Sequence, residues 1–242
     1  LLCAAARRLG FLSLGMYTNG IRLADAGFAP ALAQSGLDTA YVAIHGYTKS
    51  LHDAATGVPG SFAKVLKAVD NLLCLGVQVK PVHVVTALNV ESIPSCCDLL
   101  VRLGTPNVRI IRVTLAAGGR FQNGKDLAVR MSRAAGPVME VFDLRASRGQ
   151  PLPTLNHFTP CVFPGRERIC LEGLDSPIEA LCDERFLNYY PDHTTVTDRP
   201  LVEGVKPQGC GGCALRARCP GVEPEYLKRF GVDELKPVGA EG

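Results

Sequence analysis

Three cysteines near the end of the chain have the types and spacing to do chemistry. Cys210, Cys213 and Cys219 stand in CGGCALRARCPG, a C-x2-C-x5-C arrangement. Thiolates are soft ligands that select zinc, copper(I) or iron–sulfur clusters. Gly211 and Gly212 let the backbone turn around whatever is bound, and three free thiols on a surface would be a liability. The spacing does not choose among the metals. A four-coordinate site needs one more ligand. Cys161 is the favoured fourth, because HFTPCVFPG places it in a turn flanked by proline and glycine, where a thiol can project. Cys170 is the second choice. Cys182 closes the apolar run IEALC and reads as a small core residue, and His193 in PDHTT reads as a polar loop residue.

A second set of polar residues falls where apolar runs stop. Thr18-Asn19-Gly20, His45-Gly46, Thr86 with Asn89, and Thr114 followed by Gly118-Gly119-Arg120 each end a segment rich in β-formers. The segments are 11–18, 39–45, 77–88 (broken by Pro81) and 108–116. Helical patterns follow them at 23–36, 60–76, 91–104 and 127–147. In the second of these, Ser61 is the expected cap, and Phe62, Val65, Leu66, Val69, Leu72 and Leu73 form one apolar face. Strand and helix thus alternate four times, at roughly 30 residues per unit, which predicts a parallel α/β sheet or barrel. Ligands in such folds bind at the carboxyl ends of the strands. Asn19, His45 and Asn89 are therefore candidate binding residues, and Arg112 or Arg120 could pair with a ligand carboxylate. His52-Asp53 invites a general-base reading, but Asp53 is better read as organising its loop through side-chain-to-backbone bonds. Beyond residue 147 the periodicity dissolves into proline-rich chain holding six of the ten cysteines. The expected division is a barrel core over 1–147 and an irregular, metal-stabilised extension over 148–242.

Composition narrows the function. A net charge of +3 with no dense basic stretch gives no footprint for nucleic acid. No apolar run approaches the roughly 18 residues of a membrane span. Ten cysteines in 242 residues do not make a secreted disulfide scaffold, so a reducing cytoplasm is expected. Cys3, Cys74, Cys96 and Cys97 read as buried small hydrophobes. The chain opens at Leu1 inside the helical run LLCAAARRLG with no capping residue ahead of it, which reads as a fragment of a longer protein.

The runs MYTNGIRL, VAIHGYTKSLHDAATGVPGSFAKVLKAVDNLLCLGVQV and VVTALNVESI resemble the core of the radical S-adenosylmethionine (radical SAM) enzymes. LAAGGRFQNG resembles the Gly-Arg turn after the sixth strand of that family, so the resemblance covers residues 11 to about 124. The C-x2-C-x5-C run resembles the SPASM and twitch extensions, which hold auxiliary [4Fe–4S] clusters. The tail Tyr226…Phe230-Gly231…Leu235-Lys236-Pro237 follows the pattern of some members. The resemblance implies a partial (β/α)6 TIM-like barrel, of which the last four βα units are present, and a small Cys-rich extension. It implies binding of S-adenosylmethionine near Asn19, His45, Asn89 and Arg112, and an auxiliary cluster on Cys161, Cys210, Cys213 and Cys219. The family's catalytic-cluster motif, CxxxCxxC, occurs nowhere in the sequence and is expected upstream. The implied activity is hydrogen abstraction by a 5′-deoxyadenosyl radical. A peptide or protein is the leading substrate class, and flavodoxin or ferredoxin the type of reductant. The alternative is a non-catalytic barrel with a zinc or iron–sulfur knuckle that binds a partner.

Overall fold

Five parallel strands form one sheet, in the order β1 (Gly15–Thr18), β2 (Thr39–Ala43), β3 (Gln78–Val85), β4 (Arg109–Arg112) and β7 (Thr154–Asn156). The structure, a computed structural model, describes residues 2–115, 121–122, 125–170, 187–188, 197–198 and 204–239. Two short antiparallel pairs are the other strands among the described residues: β5 (Phe121–Gln122) with β6 (Lys125–Asp126), and β8 (Leu187–Asn188) with β9 (Thr197–Asp198). The α-helices among them are α1 (Leu2–Arg8), α2 (Phe28–Gln34), α3 (Lys49–Thr56), α4 (Ser61–Cys74), α5 (Ile93–Arg102), α6 (Met131–Ser147) and one over Pro224–Phe230. Parallel neighbours in sequence order with helices between them make the α/β architecture of a partial TIM-like barrel.

Alternation along the strands explains the layers. On β2, Ala40 and Val42 are fully buried, as is Ile44 just beyond it, and they join Val65, Ala68, Val69 and Leu72 of α4 in the core. Those four helix positions recur at three and four residues, the spacing of one helix face. Ala68 thus belongs to the face, whereas Leu73 is 38% exposed. The intervening strand residues look the other way. Tyr17 and Tyr41 stack there with centroids 4.5 Å apart, and the cations of Lys80 and Arg109 stand over the Tyr41 ring.

Several sequence expectations are refined. The cap of α4 is Asp53: its carboxylate accepts from the Gly60 and Phe62 amides and from the Ser61 hydroxyl, and Ser61 is the first helical residue. Asp53 therefore organises its loop as expected, and the Phe62 bond leads the causes that hold its carboxyl below the usual range. Pro81 does not break β3, because β4 first pairs at Val82 and the ladder on that side has not begun. Helix α3 was not expected; Thr48 caps it through Leu51 N and Gly57 ends it in the left-handed conformation. Strand β7 was also not expected. It lies on the sheet edge beside β4, where prolines are tolerated. Cys96 and Cys97 are buried as expected, with burial pushing the Cys97 thiol up to about 12, but Cys74 is exposed and Cys3 only half-buried. Among the described residues, no helix is long and apolar enough to cross a membrane.

Candidate functional site

The strand ends converge on a hydrogen-bonded rim. Asn19 is exposed beyond β1, and its Oδ1 accepts from Ile21 N at 3.1 Å. Gly20 follows in the left-handed conformation (φ 77°), with Val65 and Val42 close enough that a Cβ would press tightly against them. His45 follows β2. Its amide donates to His52 Nδ1 at 3.1 Å, and its carbonyl accepts from Asn89 Nδ2 at 2.9 Å. The His45–Gly46 turn is thus gripped from both sides. A Cβ on Gly46 would stand 2.7 Å from His52 N, so the turn closes directly onto α3. Burial, then the nearby His83 and His52, hold the His45 imidazole down to about 3, which keeps it neutral at physiological pH. Burial likewise brings His83 to about 4; its Nδ1 meets the Ile44 carbonyl at 2.9 Å, while its Nε2 is buried without a hydrogen-bond partner among the described residues.

Asn89 does not present a free amide. Its Oδ1 accepts from Thr86 N and Thr86 Oγ1, and its Nδ2 donates to the carbonyls of His45 and Val84. All its hydrogen-bonding capacity knits the ends of β2 and β3 together, so its contribution to the rim is to position His45. Arg112 does pair with a carboxylate, but the carboxylate belongs to the chain. Only 2% exposed, it donates to Glu223 Oε2 at 3.1 Å, to the His157 and Val113 carbonyls, and lies over the Tyr226 ring. That differs from the ligand contact expected of it. His157 sits at φ 62°, an uncommon conformation for a residue with a side chain, and the turn aims its carbonyl at Arg112. Glu223 Oε1 also accepts from Leu115 N. Tyr226 donates to Glu234 and accepts from Met131 N. The segment after Cys219 is therefore bolted to the mouth of β4 and the start of α6. Arg120, Cys182 and His193 lie outside the described residues.

The four predicted thiols come together around one space. Cys161, Cys210, Cys213 and Cys219 line one open cavity, between the turn after β7 and the 3-10 turn at Gln208–Gly212. Apolar groups, among them Val205, Leu215, Val222 and Leu235, form much of the remaining wall. Burial raises the Cys161 and Cys219 thiols, opposed at Cys219 by the Gly221 amide and the Lys206 ammonium. Cys170, the second choice for fourth ligand, is buried outside the cavity, and burial holds its thiol far above the usual range.

The donor set and its spread test what could be held. A tetrahedral zinc with Zn–S bonds of about 2.3 Å draws its sulfurs to roughly 3.8 Å from one another. Among the described residues, no three Cys, His, Asp or Glu side chains converge closely enough for a single ion. Four cysteines lining one largely apolar cavity are the donor set that a multi-iron cluster takes. Nothing in the sequence signalled the partners that surround them. Lys206 and Arg216 are ordinary charged residues until the fold brings them in.

Comparison with known proteins speaks to the fold. No protein-family model matches the chain, and no curated protein does. Among solved structures, SuiB of Streptococcus suis bound to the precursor peptide SuiA matches with a TM-score of 0.53 and 16% identity, over 65% of this chain and 34% of that one. SuiB bound to S-adenosylmethionine gives 0.52 and 15%, over 67% and 36%. The enzyme anSMEcpe, with bound AdoMet and the Kp18Cys peptide, gives 0.50 and 16%, over 68% and 44%. This chain spans less than half the length of each. The fold these neighbours share with this chain is the partial α/β barrel that the sequence resemblance implied.

Proposed function

We propose that this chain belongs to a radical SAM enzyme that modifies a peptide or protein in the cytoplasm, and that its Cys-rich segment holds an auxiliary [4Fe–4S] cluster. One observation carries the reading: a barrel sheet of this fold is followed by four thiols gathered around one cavity. The peptide assignment is supported by the neighbours SuiB, bound to the precursor peptide SuiA, and anSMEcpe, with the Kp18Cys peptide bound.

When bound, S-adenosylmethionine and a reduced catalytic cluster supply a 5′-deoxyadenosyl radical that removes a hydrogen atom from an unactivated carbon. The residues of this chain bind and orient. Asn19 and the neutral His45 offer polar groups at the strand ends, on backbone fixed by Gly20, His52 and Asn89. Arg112 and Glu223 hold the Cys-rich segment over the β4 end. Cys161, Cys210, Cys213 and Cys219 are the cluster ligands, and a ferredoxin or flavodoxin is the electron donor.

Anaerobic reconstitution of the chain with iron and sulfide tests the cluster. The expected product is brown, with close to one cluster per chain. Cys161→Ser, Cys210→Ser, Cys213→Ser and Cys219→Ser should each lose most of the iron, whereas Cys170→Ser should keep it. A colourless protein that takes up zinc and no sulfide would sink the reading.

A further inference from the structure

Among the described residues, the wall of the thiol cavity carries one sign of charge. Besides the four cysteines, the ionisable residues there are Lys206, Arg216 and Lys236. Two of these cations bear directly on the thiol segment. The Lys206 ammonium lies near enough to Cys219 to favour negative charge on its sulfur. Arg216 folds back so that Nη1 donates to the Cys210 carbonyl at 3.3 Å. The Gly221 amide adds a hydrogen bond to Cys219 Sγ at 3.4 Å.

A [4Fe–4S] core of charge 2+ with four thiolates carries a net charge of −2. One electron from a low-potential donor takes it to −3, with no bond made or broken. Cations and N–H···S bonds stabilise the more negative state more strongly, and net charge and hydrogen bonds to sulfur are the levers that set cluster potentials. The apolar part of the wall strengthens the effect by limiting screening.

We propose that Lys206 and Arg216 are redox-tuning residues: their charges raise the reduction potential of the cluster in this cavity, so that it accepts an electron readily instead of serving only as a structural staple. The inference rests on the cluster reading above and goes beyond it by assigning the cavity's cations a role.

The test is a graded dithionite titration of the reconstituted chain, followed by bleaching of the visible absorption and by the electron paramagnetic resonance of the reduced cluster. Lys206→Met should lower the reduction equilibrium by about tenfold, ~59 mV for a one-electron couple. Lys206→Glu should lower it further, and Lys206→Arg should restore it. Arg216→Gln should act in the same direction through an independent group. Iron per chain should stay constant throughout, and added salt should shrink the differences. Equal potentials in all four variants at constant iron would overturn the proposal. Loss of iron in Lys206→Met and Arg216→Gln would overturn it too, by making these residues assembly groups. A wild-type chain that binds no iron refutes the underlying cluster reading itself, a result distinct from either.

Discussion

Replacing Glu223 by alanine is the most direct probe of how the Cys-rich segment is held to the barrel. The change leaves the Arg112 guanidinium buried with no carboxylate beside it among the described residues. Breaking one side of a buried ion pair costs about 3–5 kcal/mol, because the surviving charge stays desolvated. Arg112 keeps its bonds to the His157 and Val113 carbonyls and its place over Tyr226, which argues for the lower end. Leu115 N also loses its acceptor, roughly another 1 kcal/mol if it stays buried. Together, a loss of about 4 kcal/mol is a factor of about 700 in the folding equilibrium. In a domain of this size it lowers the melting temperature by about 8–16 °C. Urea unfolding at neutral pH measures it. The companion variant Arg112→Met should be costly too, and the double variant Arg112→Met/Glu223→Met should be milder than the sum of its parts. Strict additivity, or a Glu223→Ala penalty below about 1 kcal/mol, would refute the claim that this pair is a coupled, desolvated clamp.

Two further outcomes follow from the rim. Gly46→Ala should destabilise by about 1–3 kcal/mol, since the new methyl meets the immovable His52 amide, whereas Gly60→Ala meets no atom within 4 Å and costs only its left-handed backbone, roughly 1–2 kcal/mol; urea midpoints of the two variants should rank in that order. Acid should weaken the fold through His83: its proton is bound below 6.5 in the unfolded chain but only below about 4 in the folded one. Between those values the unfolded state holds more protons, so stability is full above 6.5 and falls as the pH drops toward 4. His83→Gln should flatten that slope in unfolding curves taken across the window, and an unchanged slope would remove His83 as its source.

Much of this architecture is legible in the order of residues. The four β-rich runs and the 60–76 helix are legible because each is long and periodic, and periodicity survives tertiary context. Helix α3 was not, because GYTKSLHD reads as a loop until Thr48 is seen to cap it. Strand β7 hides among Pro151, Pro153 and Pro160, since proline argues against a strand and only its edge position relieves the conflict. At the site, the four thiols announce themselves through residue type and turn chemistry. The true partner of Arg112 does not, because Glu223 stands 111 residues away and nothing local marks it. Asn89 shows the opposite failure. It sits at a strand end as a binding residue should, yet its side chain is taken up by the His45 and Val84 carbonyls and by the amide and hydroxyl of Thr86.

The distance along the chain between Arg112 and Glu223 also has a temporal side. A ribosome adding about 5–20 residues per second delivers the glutamate roughly 6–20 s after the arginine. During that interval the nascent sheet carries an unneutralised cation at the mouth of β4, and the edge later covered by β7 stays open for part of it. Neutralisation of Arg112 thus waits on the synthesis of Glu223. The four thiols emerge within that same interval, so the nascent chain completes its metal-binding set only moments before it acquires the carboxylate that secures it.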